Sequence, residues 1–257
     1  MEFPPVFFEV HRGLEREAPG DEASTLRALR TLGPLPDAPR ILDIGCGPGR
    51  SSLILARETQ GTVVAVDLHE PFLDQLAASA REAGLSEHIR PVIHSMDALD
   101  SLAEDTPFDL LWGEGSIYIR GLEEGLRSWR DLLRPGGQAA FSHIAWLVEE
   151  PAPRARSFWE EAYPAIRHRK ANRETIREAG YDPVDDFALP ASAWWDYYTP
   201  IEARLADLRA KYAGDTEALA VLDAEQGEID LYRACGDSYG YVFYMMRRPL
   251  EDTSLPS

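Results

Sequence analysis

The stretch Arg40-Ile-Leu-Asp-Ile-Gly-Cys-Gly-Pro-Gly-Arg50 decides which fold the chain adopts. It begins with branched apolar residues in a run too short for a helix, which predicts a buried strand. Glycines then end the strand at Gly45, Gly47 and Gly49. Glycine allows the backbone to turn with positive φ and to approach a ligand closely, and residues 51–57 have the pattern of a helix start. A strand, a glycine loop and a helix form the nucleotide site of doubly wound α/β folds, where ligands bind at the carboxyl ends of the strands.

The spacing of the glycines narrows the choice of ligand. A dinucleotide fingerprint requires G-x-G-x-x-G, but counted from Gly45 the last required position is Arg50. A P-loop requires G-K-[ST], which the stretch lacks. The pattern that remains is D-x-G-x-G-x-G, with Asp43 at the end of the strand.

The segment Asp43-Ile-Gly-Cys-Gly-Pro-Gly49 resembles motif I of the class I S-adenosylmethionine (SAM)-dependent methyltransferases. This resemblance implies a Rossmann-like methyltransferase fold with SAM as the cofactor and S-adenosyl-L-homocysteine (SAH) as the product. It also implies that the glycine loop lies against the amino-acid part of SAM. Asp43 would then help to orient the ammonium group of the cofactor.

A second apolar run, Thr62-Val-Val-Ala-Val-Asp67-Leu68, predicts a strand that ends in a carboxylate. Asp67 follows Gly47 by 20 residues, the offset at which an acidic residue reaches a ribose edge. Asp67 is therefore the candidate for the ribose hydroxyls, with Leu68 beside it on the cofactor. The alternative is that Asp67 caps the helix beginning near Glu70-Pro71, and the two roles are compatible.

The third predicted strand, from Ile89 to His94, is followed by Ser95-Met-Asp-Ala98. The resemblance implies that an acidic residue here accepts a hydrogen bond from the adenine amino group while an apolar neighbour packs on the ring. Asp97 and Met96 match these roles, and Ala98 completes the segment. A cap for the short turn through residues 99–102 is the alternative for Asp97.

The fourth predicted strand, from Phe108 to Trp112, leads into Gly113-Glu-Gly-Ser-Ile-Tyr118. Gly113 is assigned to the cofactor, and Tyr118 to the acceptor. Glu114 lies at the rim where the methyl group and the acceptor meet, so it is a candidate base or an anchor for a cationic amine. A loop hydrogen bond without any role in the chemistry is the alternative.

A fifth predicted strand follows Leu133-Arg-Pro-Gly-Gly137, a phrase that recurs in class I methyltransferases and whose Pro-Gly pair suits a turn. His143 lies near the carboxyl end of this strand, where a neutral imidazole is a candidate base for an acceptor hydroxyl or amine. A satisfied structural histidine is the alternative. Trp146 is a further candidate for substrate contact. Strands over 181–189 and, antiparallel, over 239–246 complete a predicted sheet of seven.

Helical segments flank the predicted SAM-binding core, which covers residues 37–190 and 238–250. Residues 1–36 form a predicted N-terminal cap, in which Arg16 is a candidate partner for the SAM carboxylate or else a solvated charge. Residues 191–237 form a predicted helical insertion over the substrate. Aromatic residues at its start can enclose a ring or attract an ammonium ion, although such residues also serve packing: Trp194, Trp195 and Tyr198.

The composition limits the choice of partners. The 257 residues include 44 acidic and 26 basic side chains, a net charge of -18, which disfavours a nucleic-acid partner. Cys46 and Cys235 are the two cysteines and predict reduced thiols. The sequence has no apparent leader and no apolar run that could span a bilayer, so we expect a cytoplasmic protein without a membrane partner. The histidines show no metal-ligand spacing, and no metal is predicted.

Together these patterns predict an α/β fold with a doubly wound, mostly parallel seven-stranded sheet and a helical cap. They predict a SAM-dependent methyltransferase that transfers its methyl group to a small-molecule N, O or S nucleophile by in-line displacement. An NAD-type oxidoreductase is the alternative enzyme, disfavoured by the missing glycine at position 50. A non-catalytic SAM-binding sensor is the alternative of another class. The acceptor and the oligomeric state stay open, and a homodimer is one state that the sequence allows.

Overall fold

Strands and helices alternate along the computed structural model, which describes residues 4–102 and 107–250. Residues 1–3 of the predicted N-terminal segment lie outside the described part. The strands are β1 (Arg40–Ile44), β2 (Thr62–Asp67), β3 (Ile89–Ile93), β4 (Phe108–Glu114), β5 (Leu133–Trp146), β6 (Arg167–His168), β7 (Asp182–Ala188) and β8 (Tyr239–Arg247). The α-helices are α1 (Pro5–His11), α2 (Glu22–Leu32), α3 (Arg50–Thr59), α4 (Glu70–Glu82), α5 (Leu122–Trp129), α6 (Pro153–Ala162), α7 (Arg169–Glu178), α8 (Ala191–Lys211) and α9 (Thr216–Cys235). Short 3-10 helices span Leu99–Leu102, Ile117–Ile119 and Arg130–Leu132.

The strands form one mixed sheet in the order β3-β2-β1-β4-β5-β8-β7. Strands β1 to β5 pair in parallel along this order, and β8 lies antiparallel between β5 and β7. The order reverses between β1 and β4, which is the switch point where doubly wound sheets bind their ligands. This topology confirms the predicted fold class.

Both faces of the sheet are buried, so successive strand residues enter different halves of the core. Ile41 and Leu110 pack on one face, whereas Leu42, Ile44 and Leu111 pack on the other. Side chains alternate along a strand, and a parallel sheet covered on both faces therefore needs apolar residues at every position. This requirement explains the uninterrupted apolar run before the glycine loop.

The helical cap consists of α1, α8 and α9, which pack against one another. Asp215 caps the start of α9 by accepting a hydrogen bond from the amide of Ala218. Buried residues of α8 and α9, including Trp194 and Leu222, belong to the same apolar cluster as Ile41 of the sheet. The cap therefore shares its core with the sheet, and the assignment of residues 191–237 as a separate insertion stays a prediction.

The structure differs from the predicted elements in three places. Strand β5 already begins at Leu133, so the Pro-Gly turn lies inside the strand, where the pairing with β4 shifts register. The proline-rich region after β5 contains α6, because Pro153 stands in the first turn, where a helix tolerates proline. The two-residue strand β6 pairs with the end of β5. Among the described residues, no helix is both long enough and apolar enough to cross a bilayer.

Candidate active site

The loop between β1 and α3 has a left-handed backbone at its three glycines, with φ between 54° and 85°. At Gly45 the backbone also passes close to the turn after β4, because a Cβ there would lie 2.5 Å from the Cβ of Ser116. The amides of Gly45 and Cys46 donate to the Val66 carbonyl at 2.9 and 3.0 Å, which ties the loop to the end of β2. Only glycine fits at position 45, as the motif predicts.

Asp43, the acidic residue of the motif, is fully buried at the end of β1. Its Oδ2 accepts hydrogen bonds from the hydroxyls of Ser51 at 2.7 Å and Ser52 at 2.6 Å, and its Oδ1 has no partner among the described residues. Burial raises the pKa of Asp43 to about 6, although the two serine hydrogen bonds oppose the shift. Buried polar atoms are normally paired, so this oxygen is suited to an N–H donor of a ligand.

Asp67 lies at the carboxyl end of β2, directly beside the glycine loop. Its Oδ2 accepts the amide hydrogen of Gly47 at 2.9 Å, and its Oδ1 accepts that of His69 at 2.9 Å. The second bond does not cap α4 as the alternative predicted, because His69 is itself the N-cap residue and no side chain caps this helix. Each carboxylate oxygen has further acceptor capacity, so the bonds leave Asp67 able to accept hydroxyl donors.

The segment after β3 approaches the glycine loop from the other side. The Met96 Cε would lie 3.7 Å from a Cβ placed on Gly45, and the Met96 carbonyl accepts the indole hydrogen of Trp129 at 2.9 Å. The Asp97 side chain is 66% exposed and pairs with Arg120. Ala98 is also exposed. Asp97 is therefore accessible, but a ligand donor would share it with a guanidinium.

Glu114 is held by three donors at the end of β4. Arg16 pairs with Oε2, while the hydroxyl of Thr25 and the indole of Trp112 donate to Oε1 at 2.7 and 3.0 Å. The Arg16 guanidinium also donates to Thr25 at 3.1 Å. This arrangement gives Glu114 a role in fixing Arg16, and its predicted contact with the acceptor stays a prediction. Gly113 precedes it in a tight position, because a Cβ there would lie 2.9 Å from Phe141.

Residues 12–20, which we call the strap, cross over the glycine loop. Glu17 lies against Gly47, with its Cγ 3.4 Å from where a Cβ would stand. A Cβ on Gly115, after β4, would overlap the side chain of Ala18. Gln75 donates to the Leu14 carbonyl at 2.9 Å and anchors the strap on α4. The strap thus covers the carboxyl ends of both strands that flank the switch point.

His11 joins the strap to the helical cap. Its Nδ1 lies 2.9 Å from Glu17 and its Nε2 lies 3.5 Å from Glu225 of α9. Burial lowers the pKa of His11, but the hydrogen bonds to the two carboxylates more than offset this effect and raise it to about 9. Burial also raises the pKa of Glu17, although His11 opposes that shift. Tyr197 adds a hydrogen bond to the Glu17 carbonyl at 3.3 Å.

His143 is 1% exposed on β5, and its Nδ1 has no hydrogen-bond partner among the described residues. Burial lowers its pKa to about 4, so the imidazole is neutral at pH 7. Its ring stands edge-on to Tyr163 with centroids 5.6 Å apart, and Tyr163 stands edge-on to Tyr118 at 6.2 Å. The unpaired ring nitrogen of a neutral histidine can accept a hydrogen bond, but a pKa this low makes His143 a weak base, and its predicted role as a base stays a prediction.

The predicted aromatic contacts of the cap mostly serve packing. Trp194 is 2% exposed and stacks on Tyr232 with centroids 4.3 Å apart. Trp195 packs edge-on against Tyr232 and lies under the guanidinium of Arg233. Trp146 is buried in the same core. These contacts match the packing alternative, and a substrate role for the three tryptophans stays a prediction.

Sequence reasoning missed Glu228, whose Oε1 accepts the hydroxyl hydrogen of Tyr198 at 2.7 Å. It also missed Glu17 and Glu225, the partners of His11. Glu225 and Glu228 lie three residues apart on the half-buried side of α9. The sequence signal that could have indicated Glu225 and Glu228 is the position of these carboxylates between the apolar residues of α9. A helix with a purely structural role would place apolar side chains on that side.

Comparisons with known proteins agree with this geometry. Residues 41–137 match the methyltransferase domain family. The 27-O-demethylrifamycin SV methyltransferase of Amycolatopsis mediterranei is 27% identical over 93% of this chain and 90% of its own length. The malonyl-[acyl-carrier protein] O-methyltransferase of Salmonella typhimurium is 32% identical over 65% of this chain and 66% of its own.

The fold is shared with a SAM-dependent methyltransferase from Geobacter sulfurreducens solved in complex with SAH. The TM-score is 0.79 at 19% identity, over 95% of this chain and 98% of that one. These comparisons support methyl transfer from SAM and give no support to the oxidoreductase or to the sensor. Together these comparisons support a class I SAM-dependent methyltransferase.

Proposed function

We propose that this enzyme methylates a small molecule that binds between the carboxyl edge of the sheet and the helical cap, with SAM held by the predicted cofactor residues. The observation that carries the proposal is the environment of the glycine loop. Its left-handed glycines present backbone to a ligand, with an unpaired buried oxygen of Asp43 on one side and the Asp67 carboxylate on the other. An ammonium group and a ribose diol are the donors that such a site requires.

Apolar surface at the same edge of the sheet suits the adenine ring. Side chains after β2, at the end of β3 and after β4 are exposed although they are large and apolar: Leu68 at 67%, Ile93 at 54% and Ile119 at 64%. Met96 lies above the glycine loop, and Asp97 is accessible to the adenine amino group. Exposed apolar groups beside polar ones are typical of ligand sites.

Arg16 is the proposed partner of the SAM carboxylate. Two of its nitrogens are used by Glu114 and Thr25, and a guanidinium has five N–H donors, so others are free for a ligand. The side chain is 14% exposed, and a charge pair is stronger where water is largely excluded. Glu114 would thus orient Arg16 and serve binding of the cofactor.

The chemistry needs little from the protein beyond alignment. SAM supplies a methyl group activated by its sulfonium, and the electron pair of the broken carbon–sulfur bond stays on sulfur as SAH forms. The strap excludes water from the end of the sheet, and the cap orients the acceptor. Positioning of two reactants can lower a barrier by about 7 to 11 kcal/mol in favourable cases.

A small-molecule acceptor is supported by the charge of the chain and by the names of its relatives. The net charge of -18 opposes binding of nucleic acids. One relative is named for a demethylated rifamycin and another for malonyl carried on an acyl-carrier protein. The cytoplasmic location and the homodimer stay predictions from the sequence.

Calorimetry and a product assay test this function together. We expect the purified protein to bind SAM and SAH, to show no heat with NADH, and to form SAH when SAM is supplied with a metabolite extract. Binding of NADH without binding of SAM would contradict the proposal. Binding of SAM without formation of SAH from any extract would favour the sensor instead.

A further inference from the structure

Glu17 of the strap uses one of its carboxylate oxygens and leaves the other without a partner. Its Oε2 lies 2.9 Å from Nδ1 of His11. Its Oε1 is buried and has no hydrogen-bond partner among the described residues. Buried polar atoms are normally paired, so this oxygen is suited to a group that a ligand brings to the enzyme.

The side chain of Glu17 lies directly on the glycine loop. Its Cγ and Cβ lie 3.4 and 3.8 Å from the position that a Cβ on Gly47 would occupy. The amide of Gly47 donates to Oδ2 of Asp67 at 2.9 Å. Glu17 and Asp67 therefore meet the same loop residue, one from the strap and the other from the end of β2. These contacts bring the Glu17 carboxylate to the proposed cofactor site.

His11 holds the Glu17 side chain in this position. The imidazole ring stacks on Phe7 with centroids 4.2 Å apart, and its Nε2 lies 3.5 Å from Glu225 of α9. The hydroxyl of Tyr197 lies 3.4 Å from Nδ1. With its pKa raised to about 9 by the two carboxylates, His11 is protonated at pH 7. The position of Glu17 is thus fixed from the cap as well as from the loop.

Negative charge exceeds positive charge around this part of the loop. Asp67 accepts two backbone amides and forms no ion pair among the described residues. Arg154 lines a cavity beside Glu225 and is available to that carboxylate. Glu17 and Asp67 together then have His11 as their one cationic partner in the described part of the chain. Burial raises the pKa of Glu17, His11 opposes this shift, and the charge of Asp67 adds to it.

The charges of SAM have one member without a proposed partner. Arg16 is the proposed partner of the carboxylate, and the unpaired oxygen of Asp43 is suited to the ammonium group. The sulfonium, which joins the amino-acid part of SAM to the ribose, is still unassigned. Gly47 follows Asp43 along the loop and donates to Asp67, so it links the proposed partners of these two parts. Glu17 rests on this residue.

We infer that Glu17 is a further cofactor-binding residue, whose unpaired carboxylate oxygen attracts the sulfonium of SAM and so distinguishes SAM from SAH. The inference rests on the proposed methyl transfer and adds to it a residue that selects the charged form of the cofactor. Loss of the methyl group leaves the electron pair on sulfur, which becomes a neutral thioether. The attraction to Glu17 ends at that point, and the repulsion between Glu17 and Asp67 returns.

Two other roles for Glu17 make a different prediction. Its free oxygen could accept a hydrogen bond from a ribose hydroxyl, or the side chain could only fasten the strap through His11. SAM and SAH share the same adenine, ribose and amino-acid parts, so either role would affect their binding equally. A role toward the sulfonium alone depends on the charge of the ligand.

Calorimetry with charged and neutral ligands tests the inference without an acceptor. The ligands are SAM, SAH and sinefungin, an unreactive analogue with an ammonium group in place of the methylsulfonium. We expect E17Q to weaken binding of SAM and sinefungin by about tenfold or more, and of SAH by less than about threefold, because the substitution removes a buried charge and keeps the shape. E15Q is the matched control, since Glu15 belongs to the same strap and its side chain is 72% exposed. This variant should bind all three ligands like the unaltered enzyme.

A second measurement uses the unaltered protein and does not depend on the folding of a variant. The ligands are 5′-methylthioadenosine and its S-methylated sulfonium, which both lack the amino-acid part and therefore the groups proposed for Arg16 and Asp43. We expect the sulfonium to bind about fivefold or more tightly than the neutral thioether.

The outcomes separate this inference from the proposed function. Equal weakening of SAM and SAH by E17Q, no weakening of either, or equal affinity of the unaltered protein for the two nucleosides would each overturn the role of Glu17, while binding of SAM leaves methyl transfer intact. Failure of the unaltered protein to bind both SAM and SAH would overturn the proposed function itself.

Discussion

Replacing His11 by glutamine should remove a share of the folding stability that depends on pH. His11 is 4% exposed between Glu17 and Glu225. Burial opposes its protonation, but the two carboxylates raise its pKa from 6.5 to about 9. At 1.36 kcal/mol for each pKa unit, this difference corresponds to about 3 kcal/mol of folding free energy.

The sign of the effect follows from the raised pKa. The folded state binds the proton more tightly than the unfolded state does, so the contribution is fully present below pH 6.5 and is lost as the pH rises through 9. Burial also raises the pKa of the Cys46 thiol, which lowers stability at alkaline pH. This loss of stability occurs in the unaltered protein and in the His11→Gln variant alike, so it cancels in the difference between their free energies of unfolding.

Urea unfolding at pH 6.5, 8.0 and 9.5 measures the effect. We expect the stability gap between the unaltered protein and H11Q to shrink by about 3 kcal/mol from the lowest to the highest pH. His168→Gln is the control, because His168 has no ion pair among the described residues, and its gap should not change with pH. A gap for H11Q that stays constant across this range would refute the assigned role of the two carboxylates.

Three further substitutions test the cofactor site and the core. Gly45→Ala should abolish SAM binding measured by calorimetry and should lower the free energy of unfolding more than Gly84→Ala does. Gly84 is the control because it shares a φ of 69° but has open space around it, so equal losses of stability would contradict the close contact at position 45. Asp67→Asn should weaken SAM binding by about 10- to 100-fold in the same assay, because a charged hydrogen-bond acceptor is lost. Asp74→Asn, on the exposed side of α4, is the control and should leave the affinity for SAM unchanged. Equal affinities of the two variants would show that Asp67 does not bind SAM. Leu111→Ala should cost about 2 to 5 kcal/mol in urea unfolding because the side chain is fully buried, whereas a loss below 1 kcal/mol would show that the core collapses around the gap.

The part of the site that lies within one strand-loop-helix unit could be predicted from the sequence. Gly45 and Asp67 follow from local spacing, because a parallel strand pair sets the distance from the glycine loop to the next strand end. The predicted mostly parallel sheet with an antiparallel last strand was also confirmed. The local sequence pattern was sufficient to predict these two positions, because residues close together in the chain fix the geometry of the strand, the loop and the helix.

The acceptor side could not be predicted in the same way. Glu228 becomes notable only because α9 packs beside Tyr198 of α8, and a sequence pattern does not show which face of one helix meets another. Trp194 and Trp195 were predicted to contact the substrate because aromatic rings can enclose a ring or an ammonium ion, yet Trp194 stacks on Tyr232. Similarly, the bonds from Arg16 and Thr25 to Glu114 join residues about 90 or more positions apart.

The strap has a consequence for turnover kinetics. Glu17 rests on Gly47 and Ala18 rests on Gly115, so we expect this stretch of chain to shift when SAH leaves the proposed site. We then expect departure of the spent cofactor to be the slow step of each cycle, and acceptors of different intrinsic reactivity to share one maximal rate. A burst of methylated product in the first turnover, followed by a slower steady state, is the kinetic signature of such an enzyme.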